Sequence, residues 1–84
     1  MKNKILVIKA NEVNNRMIFL CELKGEKIMK NETFYNVDRS LEFTIINYTS
    51  EFYSNPLRAA FEVVIKENSN SKEYEEVEFL KSIS

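Results

Sequence analysis

Apolar residues in this chain come in short stretches with an alternating pattern, separated by breaks rich in Asn and Ser. Alternation of this kind is the mark of half-buried strands. Lys4 to Lys9 carries Ile5, Leu6, Val7 and Ile8, a brief β-branched run suited to a buried strand. Arg16 to Leu23 puts Met17, Phe19, Cys21 and Leu23 on one face, with Ile18 and Leu20 on the other. Gly25 supplies a turn, and Thr33 to Val37 is expected to form a short strand. Further on, Leu41, Phe43, Ile45 and Asn47 alternate with Glu42, Thr44, Ile46 and Tyr48, predicting a half-buried strand. The breaks fall at Asn11 to Asn15, Asn31-Glu32, Ser50 to Asn55 and Asn68 to Ser71. Gly25 and Pro56 are the only residues of their kind, so Asn and Ser must do most of the turning. Asn suits that task because it tolerates positive φ better than other non-glycine residues.

The stretch from Leu57 to Glu67 fits two templates. Period 2 aligns Leu57, Ala59, Phe61, Val63 and Ile65. Period 3.6 aligns Leu57, Ala60, Phe61, Val64 and Ile65, with Asn55 as cap and Pro56 at the first helical position. The Val63-Val64-Ile65 run is stiff at χ1 and favours the strand. Tyr74 to Leu80 is ambiguous in the same way, and Asn68 to Lys72 reads as a connection pairing it with the preceding stretch as a hairpin. The expected architecture for 1–84 is a single all-β domain, a small antiparallel β-barrel of about six strands whose closure removes exposed edges. The alternative is an α+β fold with 56–67 as a helix.

Composition narrows the function classes. With 44% hydrophobic and 30% charged residues the chain has globular composition. Its net charge of −1 lacks the basic excess that phosphate binders normally carry. The longest apolar runs, Ile5 to Ile8 and Met17 to Cys21, fall far short of the roughly 20 residues that span a bilayer. Cys21 is the sole cysteine, which removes internal disulfides and points to the cytoplasm. The Lys-, Asn-, Ile- and Glu-rich composition implies A/T-rich codons, hence a low-GC bacterium or a phage. The triplets Asn31-Glu32-Thr33 and Asn47-Tyr48-Thr49 match the glycosylation pattern, and in an Asn-rich chain they read as chance.

Histidine is absent, which excludes most general-base catalysis and imidazole metal sites. A nucleophile would have to be Cys21 or a serine activated by Lys or Glu, and Cys21 lies within an apolar strand pattern and reads as a buried thiol. Glu73, Glu75, Glu76 and Glu78 match no calcium loop and read as a solvated strand face or edge. No residue pattern calls for a cofactor or a metal, and the expectation is not an enzyme. Lys24, Lys27 and Lys30, with Lys2, Lys4 and Lys9 elsewhere, supply material for a basic patch. With Tyr35, Tyr48, Phe52 and Tyr53 they would suit a barrel that binds single strands by stacking. The adjacent Phe52 and Tyr53, read as a loop, are the favoured partner-binding anchors, together with Tyr35.

The segment Asn15 to Phe34 resembles the β-barrel domain that follows the GTPase domain in translation elongation and initiation factors. Met17-Ile18-Phe19-Leu20-Cys21-Glu22-Leu23, the turn Lys24-Gly25-Glu26, Ile28 and Asn31-Glu32 carry the resemblance. Where that family has glycines this chain has Cys21, Glu26 and Asn31, so the apolar skeleton is what agrees. The resemblance implies a barrel and an association with RNA or the ribosome. It does not carry nucleotide hydrolysis, since the chain lacks a Gly-rich phosphate loop. The leading expectation is a binding or regulatory module acting through a protein partner, with the RNA-linked barrel as alternative. Homodimerisation stays open, because a small β domain has edges to cover.

Overall fold

At Asn14 and Asn15 the backbone turns with φ of 50° and 63°, and Val13 faces Arg16 across the two-residue loop. Positive φ at both central residues defines the tight hairpin whose twist matches its strands, and Asn is among the few residues that accept it. The computed structural model describes residues 4–24, 30–52 and 58–81. Six strands run in it: β1 (Lys4–Val13), β2 (Arg16–Lys24), β3 (Thr33–Tyr35), β4 (Glu42–Phe52), β5 (Arg58–Ile65) and β6 (Val77–Lys81). A short 3-10 helix, Ser71–Tyr74, precedes β6. No α-helix occurs among the described residues.

The strands close into a barrel in the order β1-β2-β5-β4-β3-β6, every neighbouring pair antiparallel. Odd strands therefore run one way, which we call up, and even strands run down. The upper end carries the β1–β2 turn, the β3–β4 turn and the β5–β6 connection. The lower end carries the starts of β1, β3 and β5 and the ends of β2, β4 and β6. The barrel expectation holds and the α+β alternative falls: Arg58–Ile65 is a strand, flanked by β2 and β4.

Four local expectations change. β5 and β6 do not form a hairpin, because β6 pairs with β1 and β3 while β5 pairs with β2 and β4. Asn68 to Lys72 instead leads into the 3-10 helix, capped by Asn70, whose side chain accepts from the Lys72 N–H while Glu73 reaches back to the Asn70 N–H. β1 continues to Val13, past a register shift between Val7 and Lys9, so its buried residues change from Ile5 and Val7 to Ala10. β3 stops at Tyr35, leaving Val37 90% exposed. β4 runs through Ser50 to Phe52, where a loop was expected.

β4 also shifts register between Ile45 and Asn47 and again between Tyr48 and Ser50. The first shift breaks the simple alternation: Asn47 faces Glu62, and Tyr48 takes the place opposite Phe61. A bulge of this kind re-aims a side chain without ending the strand.

Inside, Phe19, Phe34, Phe43, Phe61, Tyr74 and Phe79 are fully buried. Phe43 meets Phe19 edge-on at 5.1 Å and Phe79 at 4.9 Å, and Tyr74 stacks on Phe79 at 5.6 Å. Such pairs add about 0.5–1.5 kcal/mol each beyond the area they bury. Tyr74 seals the upper mouth: its hydroxyl donates to the Glu42 carbonyl at 2.8 Å and accepts from the Lys66 N–H at 3.2 Å, with the Ser69 hydroxyl 3.0 Å away. One side chain thus ties the start of β4 to the β5–β6 connection.

Candidate functional site

The residues expected to bind partners do not converge. Tyr35 ends β3 at the upper end, opposite Glu42, half-buried with the Arg39 guanidinium 5.0 Å over its ring. That stacking is a cation–π contact. Phe52 ends β4 at the lower end, opposite Arg58. The whole of β4 lies between their positions, so Tyr35 and Phe52 do not form one patch. Phe52 is also a strand residue and not a loop tip. Tyr53 lies outside the described residues.

Lys24 ends β2 opposite Lys4, and Lys30 is exposed just before β3, both at the lower end. Lys27 lies outside the described residues. Acidic neighbours accompany this lower end, with Lys4 3.9 Å from Glu78 and Lys81 2.9 Å from Glu32.

Cys21 is fully buried, and burial pushes its thiol well above the usual range, so the nucleophilic thiolate is suppressed. The Glu-rich stretch is not a uniform solvated face. Glu73 completes the cap on Asn70, Glu75 accepts the Ala10 N–H at 2.9 Å, and Glu78 sits beside Lys4. Among the described residues no cluster of His, Cys, Asp or Glu could hold a metal ion, and no helix is long and apolar enough to cross a membrane.

A different set of residues comes together on the outside of the barrel. The β1–β2 turn and the bulged part of β4 frame a hollow of about 390 Å³, lined by Val13, Asn14, Arg16, Ile18, Tyr48 and Thr49. Its walls are held from several directions. The Asn14-Asn15 turn sets the position of Val13 and Arg16. Arg16 donates from Nη2 to Glu62 Oε1 at 2.8 Å, a bond that holds the Glu62 carboxyl below its ordinary range. Thr49 donates to the Ala60 carbonyl at 3.0 Å, and the Tyr48 ring tilts over Phe61 at 5.5 Å. Val13 is 52% and Tyr48 36% exposed, so apolar surface reaches solvent beside the Arg16–Glu62 pair. Ile46 and Val64 add exposed apolar surface further along β4 and β5.

Sequence reasoning named Tyr48 only as a stacking residue of the single-strand-binding alternative and did not bring it together with Arg16. One signal was present: alternation from Phe43 and Ile45 would aim polar Asn47 inward, and that conflict marks a phase break that brings Tyr48 into line with Phe61.

Compared with known proteins, the chain matches no family model, no curated protein and no solved structure. The chemistry of the site therefore rests on its own residues. The hollow combines an aromatic ring, two aliphatic walls and a guanidinium paired with the Glu62 carboxylate.

Proposed function

We propose that this chain is a non-enzymatic binding module that acts through a protein partner, with the hollow around Tyr48 as its contact surface. The observation that carries this reading is the half-exposed Tyr48 and Val13 set beside the Arg16–Glu62 pair on a frame of hydrogen-bonded strands. Tyr and Arg are over-represented among residues that dominate binding energy, and a preformed frame lowers the ordering cost of association. The buried Cys21 and the absence of histidine fit the same reading. The test is a tagged pull-down from lysate of the source organism, with and without nuclease, using wild type, Tyr48→Ala and Phe52→Ala. A stoichiometric protein partner that survives nuclease and is lost with Tyr48→Ala supports the hollow. Loss with Phe52→Ala alone would move the contact to the lower end of the barrel.

A second reading draws on the closed six-stranded barrel and the basic positions at its lower end. Lys4, Lys24, Lys30, Arg58 and Lys81 all belong to strand ends or turns there. On this reading the chain is an RNA- or ribosome-associated barrel like the one its Asn15–Phe34 segment resembles. Binding to RNA that falls steeply between low and moderate salt supports it, and salt-insensitive or undetectable binding ends it.

A further inference from the structure

The lining of the Tyr48 hollow holds a single ionised side chain, and it is a cation. Arg16 has a side chain 52% exposed, while its counter-ion Glu62 is only 18% exposed and lies outside the lining. One bond joins them, from Nη2 to Oε1. Glu62 is the only hydrogen-bond or ion-pair partner of Arg16 among the described residues. A guanidinium carries several N–H donors in a planar fork, so most of those on Arg16 are left for another acceptor. Strand alternation decides which other charges share that face. Val13 pairs with Arg16, Asn11 with Ile18 and Lys9 with Leu20, so the exposed Lys9 lies on the same side of the sheet. Glu12 pairs with Met17 and belongs to the opposite face, with buried Ala10. Glu22, the next carboxylate along β2, stands opposite Arg58. The surroundings of the hollow are therefore weighted towards positive charge in a chain whose net charge is −1.

These groups set what an occupant must present. Tyr48, Val13 and Ile18 offer apolar surface, and a volume of about 390 Å³ is at the small end of ligand sites, enough for a large side chain. The guanidinium offers its unused donors to a planar oxyanion, a shape that a carboxylate matches. A phosphate group fits less well, because its charge approaches two and the lining supplies one cation already shared with Glu62. A cationic group is repelled by Arg16. We propose that the hollow takes an acidic and apolar segment of a protein partner. An aromatic or large aliphatic side chain of that segment packs against Tyr48, and a neighbouring Asp or Glu carboxylate binds Arg16. This inference rests on the reading of the hollow as a contact surface and adds the chemistry of what it contacts. Tyr48 supplies the grip, and Arg16 selects acidic segments over basic and uncharged ones.

The test is selection from a library of random peptides displayed on phage, panned against the immobilised wild-type chain. Selected peptides are then synthesised, and their affinities are measured by fluorescence anisotropy for wild type, Tyr48→Ala and Arg16→Gln. A further variant combines Arg16→Glu with Glu62→Arg. It keeps an ion pair between β2 and β5 while placing the carboxylate in the hollow, which separates a change of preference from a loss of fold. Selected peptides are expected to carry Asp or Glu beside an aromatic or large aliphatic residue and to lose binding with Tyr48→Ala. Arg16→Gln is expected to weaken them about tenfold. The charge-swapped protein is expected to reject them and to bind versions in which Lys replaces the acidic residue. Peptides that need Tyr48 but are basic or uncharged overturn the acidic assignment and leave the hollow standing, as do acidic ones that bind Arg16→Gln as tightly as wild type. Peptides indifferent to Tyr48→Ala, or a selection that yields none, remove the hollow as a contact surface and this inference with it.

Discussion

Two tyrosines pack on phenylalanine rings in this barrel, and they answer to different constraints. Tyr74 is fully buried at the upper mouth, stacked on Phe79, with its hydroxyl bonded to main-chain groups of Glu42 and Lys66. Tyr48 tilts over Phe61 and keeps about a third of its surface in water, beside Val13 and Arg16. A buried hydroxyl must find its partners inside the protein, so Tyr74 acts as a strut whose ring and oxygen both serve the fold. An aromatic ring left partly in water gains more when something covers it, which is why the proposed contact surface centres on Tyr48. Similar chemistry is sealed inside at one place and left open to solvent at the other, and the difference lies in where the backbone aims it.

Substitutions at the two sites separate these roles. Tyr74→Ala removes a buried ring and opens the upper mouth, and is expected to cost about 3–5 kcal/mol in urea unfolding. For a chain this small that is a large share of the total stability. Tyr74→Phe keeps the ring and strands the Lys66 N–H and the Glu42 carbonyl with one partner fewer. Its expected cost is about 1–2 kcal/mol. A Tyr74→Ala protein as stable as wild type would show that the mouth is sealed by something else. At the rim of the hollow, Asn15→Ala keeps the β-carbon but loses the short polar side chain that makes the left-handed region tolerable to Asn, and is expected to cost about 1 kcal/mol. Asn15→Gly is expected to be neutral or mildly stabilising. Tyr48→Ala should cost only about 1 kcal/mol of stability while abolishing partner binding. Loss of binding with a urea midpoint that falls far less than for Tyr74→Ala is the sharpest form of the contrast, and retained binding would erase it.

The smallest effect expected is a slope with pH. The Glu75 carboxyl is held below its ordinary range, first by the Ala10 N–H, and the Glu62 carboxyl first by the Arg16 side chain. Lowered folded-state values mean that the stabilisation is fully present above the unfolded carboxylate range, about pH 4.3, and is lost as pH falls through the folded values. The urea midpoint should therefore be flat from pH 6 to 8, by this reckoning, and decline below about pH 4. Glu75→Gln and Glu62→Gln should each make that decline shallower, and an unchanged acid limb would remove both bonds from the account.

How far each of these features was legible depends on the range over which its cause acts. Period-2 patterning placed the strands at Arg16 to Leu23 and Leu41 to Tyr48, and it favoured a strand for the Leu57 stretch. The same pattern put Phe19 and Cys21 on the inner face, where both are buried. The hollow was not legible. Tyr48 comes into register with Phe61 only because β4 shifts between Ile45 and Asn47, a change that shows only once β4 lies against β5. Tyr74 was hidden for another reason. It sits among Lys72, Glu73, Glu75 and Glu76, a stretch whose local pattern is that of a solvated surface.

By itself, then, the sequence determined the strand-rich character of the chain, the alternation that marks one face as apolar, and the Asn positions able to turn with positive φ. These follow from local sterics and from which side chains water rejects. Only the tertiary structure decided which strands are neighbours, why β6 leaves β5 to pair with β1 and β3, and why Tyr74 is the plug. Period 2 reports which face a residue takes and is silent on the partner across the ladder. The partner is chosen when the barrel closes, by contacts between residues far apart in the chain, as the bond from Ala10 to Glu75 shows.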